Sequence, residues 1–198
     1  MLRISGGRFR GRVLAAPRGE SIRPTQQRVR EALFSMIADR LHGARVLDLC
    51  AGCGTLGLEA LSRGAQQTLF IDSSKKARAL ITDNLKKCQC ESSGVIIAGS
   101  IDKYSTYKSI IEKLGDADRA VDLVFVDPPY GRSSLIEDAL THLSKMGLVD
   151  EESLVIVERS ERQRPLDNSE EWGHLRSREY GETVIDLYAW KGNISSDA

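Results

Sequence analysis

Residues 121–131 carry the side chains whose types and spacing most clearly suggest chemistry. The unbroken apolar run 123–126 is typical of a strand buried on both faces of a sheet. It is followed by Asp127, Pro128, Pro129 and Tyr130. Neither proline can donate to the strand ladder, so the strand ends there, at the edge where open α/β sheets bind ligands. By itself, the segment is equally compatible with a plain Pro-Pro turn in which Tyr130 only packs.

The tetrapeptide from Asp127 to Tyr130 suits a planar substrate that carries an exocyclic amine. The Asp127 carboxylate and the Pro128 carbonyl can accept hydrogen bonds from an NH2 group, and the prolines fix the direction of that carbonyl. Tyr130 can stack on a base, which is worth about 1–3 kcal/mol per base. We therefore predict that Asp127, Pro128, Pro129 and Tyr130 form the catalytic clamp for a target amine.

A glycine-rich turn follows the first predicted strand of the alternating region, with Gly52, Gly54 and Gly57 in a G-x-G-x-x-G pattern. Glycines there allow close backbone approach to a ligand at a helix N-terminus, although an ordinary tight turn would look the same. Asp72, at the end of the next strand, is placed to bind ribose hydroxyls. The pattern fits a dinucleotide or another adenosine cofactor. Asp48 extends the glycine pattern to D-x-x-x-G-x-G. This extension and the amine clamp favour S-adenosyl-L-methionine as the cofactor.

Strands and helices alternate from residue 44 onwards, which predicts a mostly parallel sheet covered by helices on both faces. The predicted strands are 45–50, 67–71, 95–98, 121–126, 154–157, 174–180 and 183–190, the last two as an antiparallel pair. The predicted helices are 58–63, 75–87, 104–114 and 135–146. Before them, alternation around glycines predicts a β-hairpin over residues 2–16, and a helix over 26–41 capped by Thr25.

The first 30 residues are strongly basic in a chain whose formal net charge is zero. They contain eight arginines and one acid, Glu20, so their net charge is +7. In a hairpin, Arg8, Arg10 and Arg12 would share one face. This basic, arginine-rich arm contrasts with the acidic remainder of the chain. The asymmetry favours contact with a polyanion, in particular nucleic acid, over a charged surface that only meets solvent.

The overall composition describes a globular protein of 198 residues, 41% hydrophobic and 28% charged, sized for one domain or a domain with an appendage. It holds no apolar run of the roughly 20 residues that span a bilayer, and its start lacks a signal core. We expect a cytoplasmic protein with no membrane partner. Cys50 and Cys53 have CxxC spacing but Cys88 and Cys90 only CxC, so free thiols are preferred over zinc, and no metal site is expected.

Three longer segments and the tetrapeptide after the fourth predicted strand resemble one specific protein family. Asp-Pro-Pro-Tyr matches the amino-methyltransferase signature D/N-P-P-Y/F. Residues 3–12 (RISGGRFRGR), 23–34 (RPTxxRVREALF) and 48–65 (DLCAGCGxLGLEALSRGA) resemble the RsmD family of bacterial 16S rRNA (guanine-N2)-methyltransferases, and the likeness runs from about residue 2 to 190. It implies the class I S-adenosylmethionine-dependent methyltransferase fold, α/β and Rossmann-like, with a mostly parallel seven-stranded sheet and one antiparallel strand. Residues 1–42 would form the basic RNA-binding hairpin and helix, and 43–192 the methyltransferase domain.

The resemblance also implies roles for individual residues. The catalytic residues would be Asp127, Pro128, Pro129 and Tyr130. The cofactor would be bound by Asp48, Cys50, Ala51, Gly52, Gly54, Asp72, Ser73, Ser100 and Ile101. RNA would be bound by Arg3, Arg8, Arg10, Arg12, Arg23 and Arg28. The chain departs from the family at Cys50 and Cys53, where Phe and Ser are common, at Asp72, where Glu is common, and at Ser100, where an acid or Asn usually meets the adenine amine.

The implied activity is methylation of the exocyclic N2 amine of a guanine in 16S rRNA, guanine 966 of the 30S subunit. The partner would be 16S rRNA within a 30S subunit or an assembly intermediate, and the enzyme a monomer. The residues leave alternatives: an amino-methyltransferase for adenine N6 in DNA or for a protein glutamine, a nicotinamide-dependent oxidoreductase that shares the glycine turn, or an RNA-binding protein that has kept the fold without catalysis.

Overall fold

A computed structural model of the chain describes residues 1–17, 24–115, 119–128, 134–166 and 169–192, with the backbone alone for 24–26. Its strands are β1 (Arg45–Leu49), β2 (Gln67–Asp72), β3 (Gly94–Ala98), β4 (Leu123–Val126), β5 (Leu154–Ser160), β6 (Trp172–Tyr180) and β7 (Thr183–Trp190). Its α-helices are α1 (Pro24–Met36), α2 (Thr55–Ser62), α3 (Lys75–Cys88), α4 (Tyr104–Leu114) and α5 (Ser134–Lys145).

The seven strands form one sheet in the order β3-β2-β1-β4-β5-β7-β6. Strands β1 to β5 are mutually parallel, and β7 runs antiparallel to both β5 and β6. This arrangement confirms the predicted class I methyltransferase fold. The chain order reverses between β1 and β4, so the carboxyl ends of these two strands flank the crevice where doubly wound sheets bind ligands.

Two apolar clusters cover the two faces of the sheet. One contains residues of α1, α2 and α3, such as Leu33, Leu58 and Ile81, together with Phe125 of the sheet. The other contains residues of α4 and α5 against alternate strand positions such as Val124. Burial on both faces explains the continuous apolar runs, because successive side chains of each strand enter opposite clusters.

The N-terminal segment departs from the predicted β-hairpin. The segment pairs through one isolated antiparallel bridge, Arg3 with Val13, and its tip is a 3-10 helix, Gly7–Phe9. Gly7 has a φ of +74° and Gly11 a φ of +83°, and these left-handed residues fold the tip too tightly for regular strands. The two-residue periodicity that was to place Arg8, Arg10 and Arg12 on one face therefore does not apply here.

Helix α1 also differs from its prediction at both ends. It begins at Pro24 and ends at Met36, and a 3-10 helix, Ala38–Arg40, covers most of the stretch predicted to continue it. Ile37 interrupts the helix with a φ of −108° and a ψ of 15°. The predicted Thr25 cap lies outside the described side chains. Strand β5 is longer than predicted, because it reaches Ser160 and not residue 157.

Glu59, fully buried on α2, joins the N-terminal segment to the body of the protein. Its Oε1 accepts a hydrogen bond from Ser5 N at 2.6 Å and from Arg30 Nε at 3.0 Å. Arg63 Nε lies 3.4 Å from its Oε2. Arg30 Nη2 also donates to Arg3 O at 2.8 Å. One carboxylate thus links α1, α2 and the basic segment.

Ser62, one turn further along α2, completes this attachment. Its hydroxyl donates to Gly6 O at 2.5 Å and accepts from Phe9 N at 2.9 Å. A Cβ at Gly7 would lie 1.9 Å from Ser62 O, so only glycine permits the segment to approach the helix this closely. The basic segment therefore lies directly on the helix that follows the glycine-rich turn. The division into units 1–42 and 43–192 stays a prediction.

We predict that Glu59→Ala lowers the free energy of unfolding by about 3–5 kcal/mol, because Arg30 would remain buried without its partner. Urea denaturation followed by circular dichroism measures the change. Glu31→Ala removes an exposed carboxylate of α1 that accepts a bond from Gln27, and we expect it to stay within about 0.5 kcal/mol of wild type. Equal stability of the two variants would show that Glu59 does not anchor the segment.

Candidate active site

The turn between β1 and α2 is shaped by three residues with positive φ, Cys50 at 63°, Gly52 at 57° and Gly54 at 80°. Ala51 N donates to Ile71 O at 3.0 Å, and Gly54 N donates to Ala51 O at 2.7 Å. The turn is therefore attached to the end of β2. Its backbone curves away from the sheet before α2 begins, which leaves space at the carboxyl end of β1.

Gly57 lets α2 lie close to β2. A Cβ at this position would come within 2.3 Å of the Phe70 ring. The Gly57 N–H donates to Asp48 Oδ2 at 2.9 Å, so the acid of the D-x-x-x-G-x-G pattern binds the first turn of the helix. The third glycine of the motif thus serves helix packing and orients Asp48.

Asp72 joins the end of β2 to the glycine-rich turn. Its Oδ2 accepts from Gly52 N at 2.8 Å and its Oδ1 from Ser74 N at 2.8 Å. Each carboxylate oxygen has a further lone pair, so Asp72 can still accept hydrogen bonds from a diol. Arg78 Nη1 donates to Ser73 O at 2.8 Å, which orders the start of α3 beside it.

Asn84, buried on α3, connects the same turn to the N-terminal segment. Its Nδ2 donates to Cys53 O and to Ala15 O, both at 2.9 Å, and its Oδ1 accepts from Ala15 N at 2.6 Å. One amide side chain therefore uses three hydrogen-bonding positions on two segments. The glycine-rich turn and the end of the basic segment are held at a fixed separation.

A cavity of about 240 Å³ lies between this turn, the N-terminal segment, α1 and the carboxyl ends of β1, β4 and β5. Its walls contain five of the predicted site residues, Asp48, Cys50, Ala51, Gly52 and Asp127. They also contain four polar residues that the sequence analysis did not single out, Arg30, Thr55, Glu158 and Thr183. The predicted cofactor turn and the predicted catalytic acid thus face the same space.

The other predicted site residues lie elsewhere. Gly54, Asp72 and Ser73 are in or beside the turn but not on the cavity wall, and Pro128 is buried behind Asp127. Ser100 and Ile101 follow β3, two strands from β1 on the same sheet edge, where the Ser100 hydroxyl donates to Asp102 Oδ1 at 2.5 Å. Pro129, Tyr130 and Arg23 fall outside the described residues.

The cavity concentrates carboxyl groups whose pKa values are raised. Burial, with smaller contributions from the charges of Asp127 and Asp72, raises the pKa of Asp48 to about 7 against the lowering effect of the Gly57 N–H. Asp127 has exposed surface, yet desolvation by the surrounding protein raises the pKa of its carboxyl to about 6. Burial and the charge of Asp127 raise the pKa of Glu158 to about 8. A cation bound beside the turn would favour the ionised forms of Asp48 and Asp127.

Glu158 is the main site residue that the sequence analysis missed. The predicted strand ends at residue 157 and therefore excludes Glu158. In the structure β5 continues through it, and Val157 pairs with Val126 in the parallel register. A signal for Glu158 was present in the sequence, because the apolar runs 123–126 and 154–157 are each followed directly by an acid.

The predicted RNA-binding arginines are mostly at the surface. Arg3, Arg8, Arg10 and Arg28 are exposed. The guanidinium carbons of Arg8 and Arg12 lie 4.5 and 5.5 Å from the centroid of the Phe9 ring. Arg12 also donates to Lys87 O of α3. The segment therefore presents a basic surface in which the guanidinium groups of Arg8 and Arg12 flank one buried aromatic ring.

No disulfide joins the four cysteines, which lie in two separate places, with Cys50 and Cys53 on the cavity wall and Cys88 and Cys90 buried at the end of α3. Within the described parts of the chain, no three His, Cys, Asp or Glu side chains are grouped so that they could hold a metal ion. The helices in those parts include none long and apolar enough to cross a membrane.

Comparison with known proteins identifies the family. The family model described as "Conserved hypothetical protein 95" matches residues 2–189 of the chain. The chain belongs to this family. "Ribosomal RNA small subunit methyltransferase D" of Haemophilus influenzae is 34% identical over 189 residues, which cover 94% of this chain and 93% of that protein. The predicted kinship with the RsmD family is thereby confirmed.

Solved structures share the fold. The putative methyltransferase yhhF from Escherichia coli superposes with a TM-score of 0.77 at 30% identity, covering 96% of this chain and 98% of its own. A putative methyltransferase solved in complex with SAH (S-adenosylhomocysteine) superposes with a TM-score of 0.62 at 16% identity, covering 85% of this chain and 50% of its own. The second likeness concerns the fold alone.

The raised pKa of Asp48 predicts a pH-dependent stability. A carboxyl whose folded pKa exceeds its unfolded value binds more protons when folded, so the free energy of unfolding falls as pH rises from about 4 to 7. We expect Asp48→Asn, whose amide oxygen can still accept from Gly57 N, to reduce the loss of stability between pH 5 and 8 by roughly 2–3 kcal/mol.

Urea denaturation of both proteins at the two pH values measures this difference. Asp83→Asn, which changes an exposed carboxylate of α3, is the control and should leave the pH dependence as in wild type. A loss of stability between pH 5 and 8 that is the same in Asp48→Asn and wild type would contradict the raised pKa.

Proposed function

We propose that the chain is an S-adenosyl-L-methionine-dependent methyltransferase that modifies the exocyclic N2 amine of a guanine in 16S rRNA, guanine 966 by the family pattern. One observation carries the proposal: Asp127 shares a cavity with Asp48 and the glycine-rich turn. An acceptor for an amine and a turn suited to an adenosine cofactor are thus adjacent. The relative named as an rRNA methyltransferase supports RNA as the substrate.

The residues around the cavity fit S-adenosyl-L-methionine. The cofactor supplies a methyl group on a positively charged sulfur, and the raised pKa values of Asp48 and Asp127 indicate carboxyls whose ionisation a nearby cation would favour. Asp48, Cys50, Ala51, Gly52 and Gly54 would line its methionine and ribose, Asp72 and Ser73 would bind the ribose hydroxyls, and Ser100 and Ile101 would lie at the adenine. The fold neighbour solved with SAH supports this choice.

The chain's contribution to the reaction would be orientation and charge. The Asp127 carboxylate and the Pro128 carbonyl would hold the amine with its lone pair directed at the methyl carbon. Methyl transfer would make the nitrogen positive as S-adenosylhomocysteine leaves, and the same two acceptors would stabilise that charge. The proton then leaves the nitrogen for solvent. Pro129 would help to fix the direction of that carbonyl, and Tyr130 would complete the clamp by stacking on the base.

The N-terminal residues 1–42 would bind the RNA. Arg3, Arg8, Arg10, Arg12, Arg23 and Arg28 would contact phosphates, and the attachment of the basic segment to α2 by Glu59 and Ser62 would set its distance from the cavity. The substrate would be a 30S subunit or an assembly intermediate in the cytoplasm, and the enzyme would act as a monomer. Transfer of labelled methyl groups to 30S particles, naked 16S rRNA and duplex DNA, followed by nucleoside mapping, tests the proposal.

We predict that Asp127→Ala lowers the single-turnover rate of methyl transfer by roughly a hundredfold or more, because the amine loses an acceptor that strengthens as charge develops. S-adenosylhomocysteine binding, measured by calorimetry, should largely survive. The exposed carboxylate variant Asp138→Ala should match wild type in both assays. Near-wild-type turnover of Asp127→Ala would exclude Asp127 from the clamp.

We also predict that replacing Arg8, Arg10 and Arg12 together with Ala flattens the salt dependence of RNA binding. Each lost phosphate contact reduces the slope of log affinity against log salt concentration by about one. Filter binding between about 50 and 200 mM salt measures the slope. A control that changes Lys108, Lys113 and Lys145, exposed on the helices of the opposite sheet face, should keep it. Equal slopes in the two triple variants would show that RNA does not bind this segment.

A further inference from the structure

Glu158 occupies on β5 the position that Asp127 occupies on β4. Val126 and Val157 are partners in the parallel register, so the two acids leave neighbouring strands at the same level. Side chains alternate between the two faces along each strand, so both acids lie on the face whose apolar cluster contains Phe125 and Ile156. Both line the cavity. Adjacent strands are about 4.8 Å apart, which is comparable to the width of the hydrogen-bonding edge of a purine.

The carboxyl of Glu158 has no hydrogen-bond donor among the described residues. The next residue, Arg159, turns to the other face of the sheet and pairs with Asp186 at 2.5 Å, so it does not neutralise Glu158. The charge of Asp127 makes the surroundings of Glu158 still less favourable for a carboxylate. A half-buried polar group without a partner is costly unless a ligand supplies one. Its place beside the predicted amine clamp identifies the ligand as the target base.

The edge of guanine carries three groups in a row, the N2 amine, N1–H and the O6 acceptor. With the amine at Asp127, the next two groups lie toward the neighbouring strand. Because the pKa of Glu158 is raised to about 8, its carboxyl is protonated at neutral pH and offers one donor and one acceptor. The donor of the carboxyl matches O6 of guanine, and its acceptor matches N1–H. Adenine, with its N6 amine in the clamp, has only the N1 acceptor next to it and loses one of the two contacts.

We propose that Glu158 is a specificity-determining residue of this site, and that its carboxyl binds N1–H and O6 of the target guanine while Asp127 holds the N2 amine. The proposal rests on the proposed function, since it names what distinguishes guanine from another base with an amine. Flipped bases are commonly read by hydrogen bonds to this edge. Thr183, which also lines the cavity and pairs with Ser160 across the β5–β7 ladder, closes the far side of the same wall.

The test compares two bases that carry the same reactive amine. Small-subunit particles are assembled with 16S rRNA holding either guanine or 2-aminopurine at the target nucleotide. 2-Aminopurine keeps the 2-amine but lacks both N1–H and O6. Single-turnover methyl transfer is measured for wild type, Glu158→Ala, Glu158→Gln and the control Glu161→Ala, an exposed carboxylate just after β5. S-adenosylhomocysteine binding is measured for each protein.

We expect wild type and Glu161→Ala to prefer guanine over 2-aminopurine by about tenfold to a hundredfold. Glu158→Ala should lose most of that preference, mainly because guanine reacts more slowly. Glu158→Gln should keep it, because its amide offers the same donor and acceptor. S-adenosylhomocysteine should bind all four proteins equally.

Other outcomes of the same measurements would contradict the proposal. If Glu158→Ala slows both bases by the same factor, or weakens S-adenosylhomocysteine binding, Glu158 serves the cofactor or the fold and the proposal is overturned. Loss of the guanine preference in Glu158→Gln as well would overturn the paired donor and acceptor. If wild type methylates neither base while still binding S-adenosylhomocysteine, the proposed function itself fails, and with it the role of Glu158.

Discussion

The parallel register of β1, β4 and β5 is the constraint on which the site depends. Their carboxyl ends lie side by side, so Asp48 near the end of β1, Asp127 directly after β4 and Glu158 within the last three residues of β5 face one cavity although they are distant in the chain. Each side chain is directed there because it continues the alternation that buries apolar residues against α1 and α2. A shift of one residue in either pairing would direct an acid into the opposite apolar cluster.

A second set of contacts makes the basic segment part of the same rigid unit as the glycine-rich turn. Glu59 and Ser62 bind the segment from α2, and Asn84 binds both its end and the turn from α3. These hydrogen bonds join groups more than 30 residues apart and fix the N-terminal segment relative to the cavity. The separation between the exposed arginines of the segment and the cavity is thus set by packing between helices α1, α2 and α3.

The electrostatics of the cavity follow from this packing. Carboxyl groups crowded in a partly enclosed space favour their protonated forms, whereas a cation or a hydrogen-bond donor beside one of them would favour its ionised form. Arg30, the single basic residue among the described residues of the wall, is held by Glu59 and so does not neutralise the group. The folded protein is therefore less stable at higher pH, and a cation bound in the cavity would offset that loss.

Local patterns in the sequence determined much of this protein. Apolar runs and glycine positions predicted the alternating sheet, the turn after β1 and the strand that ends at Asp127, because burial and backbone sterics act over a few residues. The 3-10 tip of the N-terminal segment, the break at Ile37 and the inward turn of Arg30 required contacts with α2 and the sheet. The partnership of Asp127 with Glu158 was likewise decided by tertiary structure, because strand register joins residues that no local spacing relates.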